Sequence, residues 1–227
     1  MQIIDGIAIA TAMREQIARD IARLRNEGRR IPSLRIIQVG SDAATKVYVR
    51  NKLNAAQQVG MDAQCLCVSA DIAEEELLQL VRQCNADASI DGFIVQLPLP
   101  ASLSEERVLQ AITPHKDVDK HIQQRAVDEL LQRACVPYEG KNVIIIEKNR
   151  PLSCTADDVP QGAVVIDMGF TRIDDPSVPK GYRIVGDVDA DSIRHKAAYL
   201  APVPGGIGPV IVATLLLDTL EAYQLHS

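Results

Sequence analysis

Tyr48 and Lys52 stand four residues apart in a stretch, 43–59, that holds neither Gly nor Pro. On a helix that spacing puts both side chains on one face, where a phenol and an amine can meet one ligand. A Lys in a cleft loses solvation, which lowers its pKa toward about 7–8 and suits it to proton transfer. The same spacing also suits a solvated Lys beside a half-buried Tyr. Gln96 lies near the carboxyl end of an apolar run, 92–97, just before Leu97-Pro98-Leu99-Pro100. Open α/β sheets bind ligands at such ends, and a Gln amide can pair with an amide-rich heterocycle or with the loop's own backbone. Lys116-Asp117-Val118-Asp119 sets two carboxylates at alternate positions, a pattern equally open to a turn or a helix cap. The densest special segment, 202–209, brings three Gly between Pro residues directly ahead of an apolar helical run. Such a loop lets backbone N–H groups approach a ligand at a helix N-terminus, and we read it as a site rather than a tight connection.

These residues need a scaffold. Ala10, Met13, Ile17, Ile21 and Leu24 recur at helical steps up to Gly28, and 34–39 reads as a buried strand stopped by Gly40. A helix over 43–59, a strand over 61–69, a helix over 74–84 and a strand over 92–97 come next. Beyond them, 143–146 and 163–166 read as strands, and 128–133, 191–199 and 209–223 as helices. Strands alternating with helices predict an α/β fold: two lobes of parallel sheet flanked by helices. The first lobe is expected over 1–127, with 200–227 returning to it, and the second over 128–199.

Composition narrows the function. With 24 Lys plus Arg against 30 Asp plus Glu, the net charge of −6 repels phosphate backbones and anionic membranes. Aromatics are 3 % of the chain, too few for base stacking on a single strand. Neither nucleic acid nor membrane is an expected partner, and no stretch has the length of a membrane span. Five scattered Cys and four dispersed His lack metal-ligand spacing, so no metal is expected, and the thiols suit a reducing cytoplasm.

Taken in order, several segments resemble the bifunctional methylenetetrahydrofolate dehydrogenase/methenyltetrahydrofolate cyclohydrolase family. They are Ile3-Ile4-Asp5-Gly6, the stretch from Val39-Gly40-Ser41 through Tyr48 and Lys52 to Gly60, Asp91 to Pro100, and Lys116 to Asp119. Gly162 to Gly169, Val185-Gly186-Asp187-Val188 and Pro202 to Pro209 continue the match. The resemblance implies Lys52 as the catalytic Lys, with Tyr48, Gln96 and Asp119 around the reacting end of a tetrahydrofolate derivative. It adds Leu97, Pro98, Pro204, Gly205 and Gly206 to the substrate pocket. It also implies NADP in a Rossmann-like second lobe, with Phe170 and Gly208 near its nicotinamide side, and a homodimer.

The second lobe departs from that pattern. Where the family has a Gly-Arg-Ser loop and helix to cradle dinucleotide phosphates, Val143-Ile144-Ile145-Ile146 runs into Glu147-Lys148-Asn149-Arg150-Pro151. Sixteen residues, 147–162, separate the two apolar runs, too few for the strands and helices of a full nucleotide lobe. The expected activity is therefore one-carbon tetrahydrofolate interconversion with the cyclohydrolase half better supported than the dehydrogenase half. The alternative is a non-catalytic folate-binding or dimer-partner relative that has lost its nucleotide site.

Overall fold

Ala10, Met13, Ile17, Ile21 and Leu24 form the buried stripe of α1 (Gly6–Asn26), because residues three and four apart share a helix face. The helix stops at Gly28, whose φ of +69° lets the N–H groups of Gly28 and Arg29 donate back to the carbonyls of Arg25 and Leu24. Paired backbone bonds of this kind favour Gly at the left-handed position. Helix α2 (Ala43–Gln58) ends the same way at Gly60, with Gly60 and Met61 donating to Gln57 and Ala56.

The computed structural model describes residues 1–40, 42–147 and 149–225. They divide into two units, one of Met13–Ile122 with Val212–Ser227 and the other of Met1–Ala12 with Gln123–Ile211.

The first of these is built on three parallel strands in the order β3-β2-β4: β2 (Ser33–Val39), β3 (Asp62–Val68) and β4 (Gly92–Val95). The middle strand β2 is buried along almost its whole length, as a strand covered on both faces must be. Helix α3 (Glu74–Ala86) contributes Leu77 and Val81 to a core with Ile37, Phe93 and Val95, and the short α4 (Glu105–Gln110) adds Val108. Asp91, fully buried at the entry to β4, takes two hydrogen bonds of 2.7 Å from Arg30 and one of 2.9 Å from the Ser33 N–H. The Arg30 guanidinium also stacks over the Tyr223 ring at 4.6 Å.

The second unit has a four-stranded parallel sheet, β1 (Gln2–Ile3), β9 (Tyr199–Ala201), β6 (Val164–Asp167) and β5 (Val143–Ile146), in that spatial order. An antiparallel pair, β7 (Thr171–Asp174) with β8 (Tyr182–Val185), lies between β6 and β9 in the chain. Helix α5 (Ile122–Arg133) precedes β5, and α6 (Ile207–Leu225) closes the chain. Pro209 is tolerated in the first turn of α6, where its missing N–H has no helical partner to serve.

Three features differ from the sequence reading. The helix expected over 191–199 is only a 3-10 turn, Ser192–His195, because the N–H groups of Ala198 and Tyr199 donate to the Ala163 carbonyl and draw the chain into the sheet as β9. The β7–β8 hairpin and α4 had no counterpart in that reading. The partition also differs: 1–12, 123–127 and 200–211 go with the second unit. Pairing of β1 and β6 with β9 places the chain's start and 199–201 in one sheet.

Candidate functional site

Lys52 lies one helical turn beyond Tyr48 on α2, and the two are not equally buried. Tyr48 is 42 % exposed, whereas Lys52 is half-buried, so the alternative of a solvated Lys beside a half-buried Tyr is not what the fold builds. The Lys52 ammonium donates to Gln96 Oε1 at 3.0 Å. Gln96 in turn donates its Nε2 to the Leu97 carbonyl at 2.9 Å, which fixes which end of the amide faces the Lys. Loop backbone and Lys thus hold the two ends of one side chain, and both readings of Gln96 apply together.

Burial lowers the Lys52 pKa, and the charge of Asp119 partly opposes that. Asp119 is pushed upward by burial, with Lys52 pulling it down and Asp117 pushing it further up. Burial also raises the Tyr48 pKa. An amine whose proton is loosened beside a carboxylate that holds one more readily is suited to moving a proton.

The other members of Lys116-Asp117-Val118-Asp119 have structural roles. Asp117 Oδ1 accepts from the N–H groups of Asp119 and Lys120, a turn of the kind Asp favours. Lys116 is 5 % exposed and donates to the carbonyls of Cys84 and Asp87 at the end of α3. Asp119 is the member whose charge acts on Lys52. A cavity of about 430 Å³ is lined by Leu97, Asp117, Asp119 and Lys120 with Leu109, Gln110, Ile112 and Pro114, within the size range of small-molecule sites. Pro98 is exposed at its edge of the sheet. Lys52 and Tyr48 do not line this cavity; Asp119 links it to the Lys52–Gln96 pair.

A Glu at position 96 keeps the bond to Lys52 but places a formal negative charge on it. Gln96→Glu is expected to raise the Lys52 pKa and move the acidic limb of any rate profile that needs the neutral amine to higher pH. A pH–rate profile with an unmoved limb would separate Lys52 from that limb.

Pro204, Gly205 and Gly206 belong to the second unit. Gly205 has φ +97°, and the Gly206 N–H donates to the Pro202 carbonyl at 2.8 Å. A Cβ on Gly6 would lie 1.7 Å from the Gly206 carbonyl oxygen, so the start of α1 and this loop cross backbone against backbone. Phe170 is 56 % exposed just ahead of β7. Gly208 lies in the first turn of α6, with open space where a Cβ would be.

The sequence reading missed Asp167. Its buried carboxylate, at the carboxyl end of β6, accepts from the N–H groups of Gly169, Asp187 and Val188 at 2.9, 3.0 and 3.0 Å. Burial raises its pKa, against the pull of those three bonds. A Cβ at Gly186 or Gly169 would meet the Asp167 or Asp187 carboxylate at 1.9 and 2.4 Å. Pairs of Asp and Gly in 167–169 and 186–187 were the available signal.

The family profile for the tetrahydrofolate dehydrogenase/cyclohydrolase catalytic domain matches residues 4–119, and the profile for that family's NAD(P)-binding domain matches 149–227. The chain belongs to the tetrahydrofolate dehydrogenase/cyclohydrolase family. Bifunctional protein FolD 1 of Myxococcus xanthus is 34 % identical over 282 residues, covering 96 % of each chain. The mitochondrial bifunctional methylenetetrahydrofolate dehydrogenase/cyclohydrolase of Gallus gallus is 31 % identical, covering 97 % of this chain and 86 % of the relative. Among solved structures, the Campylobacter jejuni FolD enzyme superposes with TM-score 0.89 at 25 % identity over the whole of both chains. The Trypanosoma brucei enzyme, solved with NADP and an inhibitor, gives 0.85 at 30 % identity over 98 % of this chain and 97 % of that one.

The alignment to the Myxococcus relative runs over 282 positions whereas this chain has 227 residues, so the chain passes over internal segments of its relative. Neither profile covers 120–148. A family member's second domain takes NADP, but the residues present here do not fit its phosphates. Among the described residues between β5 and β6, the only helical element is the 3-10 turn Ala156–Asp158, and 147–161 contains no Gly.

Proposed function

We infer that this chain acts on one-carbon derivatives of tetrahydrofolate. Its family joins a 5,10-methylenetetrahydrofolate dehydrogenase that uses NADP to a 5,10-methenyltetrahydrofolate cyclohydrolase, and the cyclohydrolase half is the better supported by this chain's residues. The observation that carries the reading is the half-buried Lys52, held on Gln96 Oε1 at 3.0 Å and within the charge field of Asp119.

In that reaction a water oxygen bonds to the methenyl carbon of the cationic bridge. The proton it sheds goes to the Lys52 amine in its unprotonated form, which burial favours. The bond from that carbon to one ring nitrogen then breaks, its electron pair taking up the proton held by Lys52, while the hydroxyl loses its own proton to solvent as its C=O forms. 10-Formyltetrahydrofolate results, with net release of one proton. Burial weakens the hold of Lys52 on its proton, which suits a site that must accept a cation, because a second firmly held positive charge would oppose binding. Gln96 positions Lys52, Tyr48 lies one turn away to orient the leaving nitrogen, and Asp119 accepts hydrogen bonds from the pterin. Leu97 and Pro98, next to Gln96 in the same unit, add substrate contacts.

A folate-binding protein without catalysis has no use for a desolvated amine, so the non-catalytic alternative is not favoured. The test is loss of methenyltetrahydrofolate absorbance in the presence of the purified chain. Catalysed decay above the buffer rate is expected, and decay at the buffer rate alone would end the reading.

No disulfide joins any of the five cysteines, in keeping with work in the cytoplasm. No helix among the described residues is long and apolar enough to cross a membrane. The edge strand β5 exposes Val143 and Ile145, which supports pairing with a second copy in a homodimer.

A further inference from the structure

We propose that this chain hydrolyses methenyltetrahydrofolate without holding a nicotinamide dinucleotide, so that its substrate must be supplied by a separate oxidation of methylenetetrahydrofolate. The proposal rests on the cyclohydrolase reading above and adds that the dehydrogenase half is silent.

Dinucleotide sites in parallel sheets grip the pyrophosphate with free backbone N–H groups at a Gly-rich first strand-to-helix turn. In the second unit that turn would come after β5, the strand that precedes β6 in the chain. Among the described residues of the loop there, four backbone donors are already committed. The N–H of Asn149 donates to Asp187 Oδ2 at 2.7 Å, and those of Leu152, Ser153 and Cys154 donate to the carbonyls of Gly186, Arg150 and Asp187. Pro151 has no N–H to offer. Cys154 also accepts from the Asp189 N–H, which ties the loop to 187–189 on both sides.

The next strand end is closed in the same manner. At the carboxyl end of β6 the N–H groups of Gly169, Asp187 and Val188 converge on the Asp167 carboxylate. An anion-binding nest there is thus filled by the protein's own anion, with the Asp187 carboxylate beside it. Two phosphates brought to this edge would meet two carboxylates, with seven nearby N–H groups already bonded within the protein. Losing two or more hydrogen bonds to charged oxygens weakens binding by about 10²-fold or more.

The test uses the intact 227-residue chain and NADPH itself, followed by its fluorescence and by isothermal titration up to about 1 mM. Thermal unfolding is recorded with NADP and, separately, with a folate ligand, since a ligand that binds the folded state raises the midpoint. We expect no saturation with NADPH, no shift with NADP, a rise with folate, and methenyltetrahydrofolate hydrolysis unaffected by NADP. Saturable NADPH binding in the micromolar range would overturn the proposal whether or not hydrolysis is seen. Absent hydrolysis with absent NADPH binding would instead strike the cyclohydrolase reading.

Discussion

Lys52→Met is expected to lower kcat for methenyltetrahydrofolate hydrolysis by about 10²–10⁴-fold, the usual contribution of a positioned acid–base group. KM should move much less, because the substrate's contacts come mainly from other residues and Met keeps the length of the side chain. The variant should also fold. Burial holds the Lys52 pKa in the folded protein below its ordinary 10.5, so the folded state binds this proton less tightly than the unfolded chain does. The ammonium therefore costs stability below the depressed value, and the cost fades as pH climbs through it toward 10.5. A neutral Met removes that cost at neutral pH, against the loss of one hydrogen bond to Gln96. Denaturant midpoints at about pH 7 should be near those of the parent or above them. A large fall in midpoint together with lost activity would make Lys52 a structural residue, and an unchanged rate would remove it from the chemistry.

The second large effect lies far from any proton transfer. Asp167→Ala removes an acceptor that three buried N–H groups share. Each stranded donor costs about 1–3 kcal/mol, and because the three relax together the expected total is about 3–5 kcal/mol. The parent carboxylate is already there against its own burial, which raises its pKa, so the fold tolerates an expensive ion for the sake of those bonds. Asp167→Asn keeps one acceptor oxygen and should lose less. Amide exchange offers a local readout: the Gly169, Asp187 and Val188 amides should lose protection first. A stability within about 1 kcal/mol of the parent would show that the loop satisfies these donors in another way.

The contrast between Lys52 and Asp167 also shows what kind of residue can be recognised before the chain is folded. Lys52 stands four residues from Tyr48 in a stretch with helical composition, and helix periodicity is local enough to relate such positions. Gln96 stands at the end of an apolar run, and strand ends in parallel sheets are where ligands go. Both are legible from neighbours within a few residues. Asp167 becomes a hub only because 187 and 188, twenty residues away, come back beside it. The Asp and Gly pairs at 167–169 and 186–187 mark the two ends, but no local pattern says that they meet.

Element type divided along the same line. The helices that end at Gly28 and Gly60 and the strands of the β3-β2-β4 sheet could be read from the chain because periodicity and a left-handed Gly are properties of short segments. At 191–199 the same reasoning failed, since the donors of Ala198 and Tyr199 go to Ala163, a partner 35 or more residues earlier. A sheet ladder won over a weak local preference for helix.

By itself, then, the sequence determined the α/β class, the helix that carries Tyr48 and Lys52, the strand that ends at Gln96, the shortened crossover after β5, and a family resemblance specific enough to name the reaction. Tertiary structure decided which candidates act together. It set Lys52 on Gln96 and under the charge of Asp119, turned Asp117 and Lys116 into supports, and filled the β6 edge with Asp167. Burial and charge depend on what folds over a residue, and a pKa or a free donor exists only once those neighbours are in place.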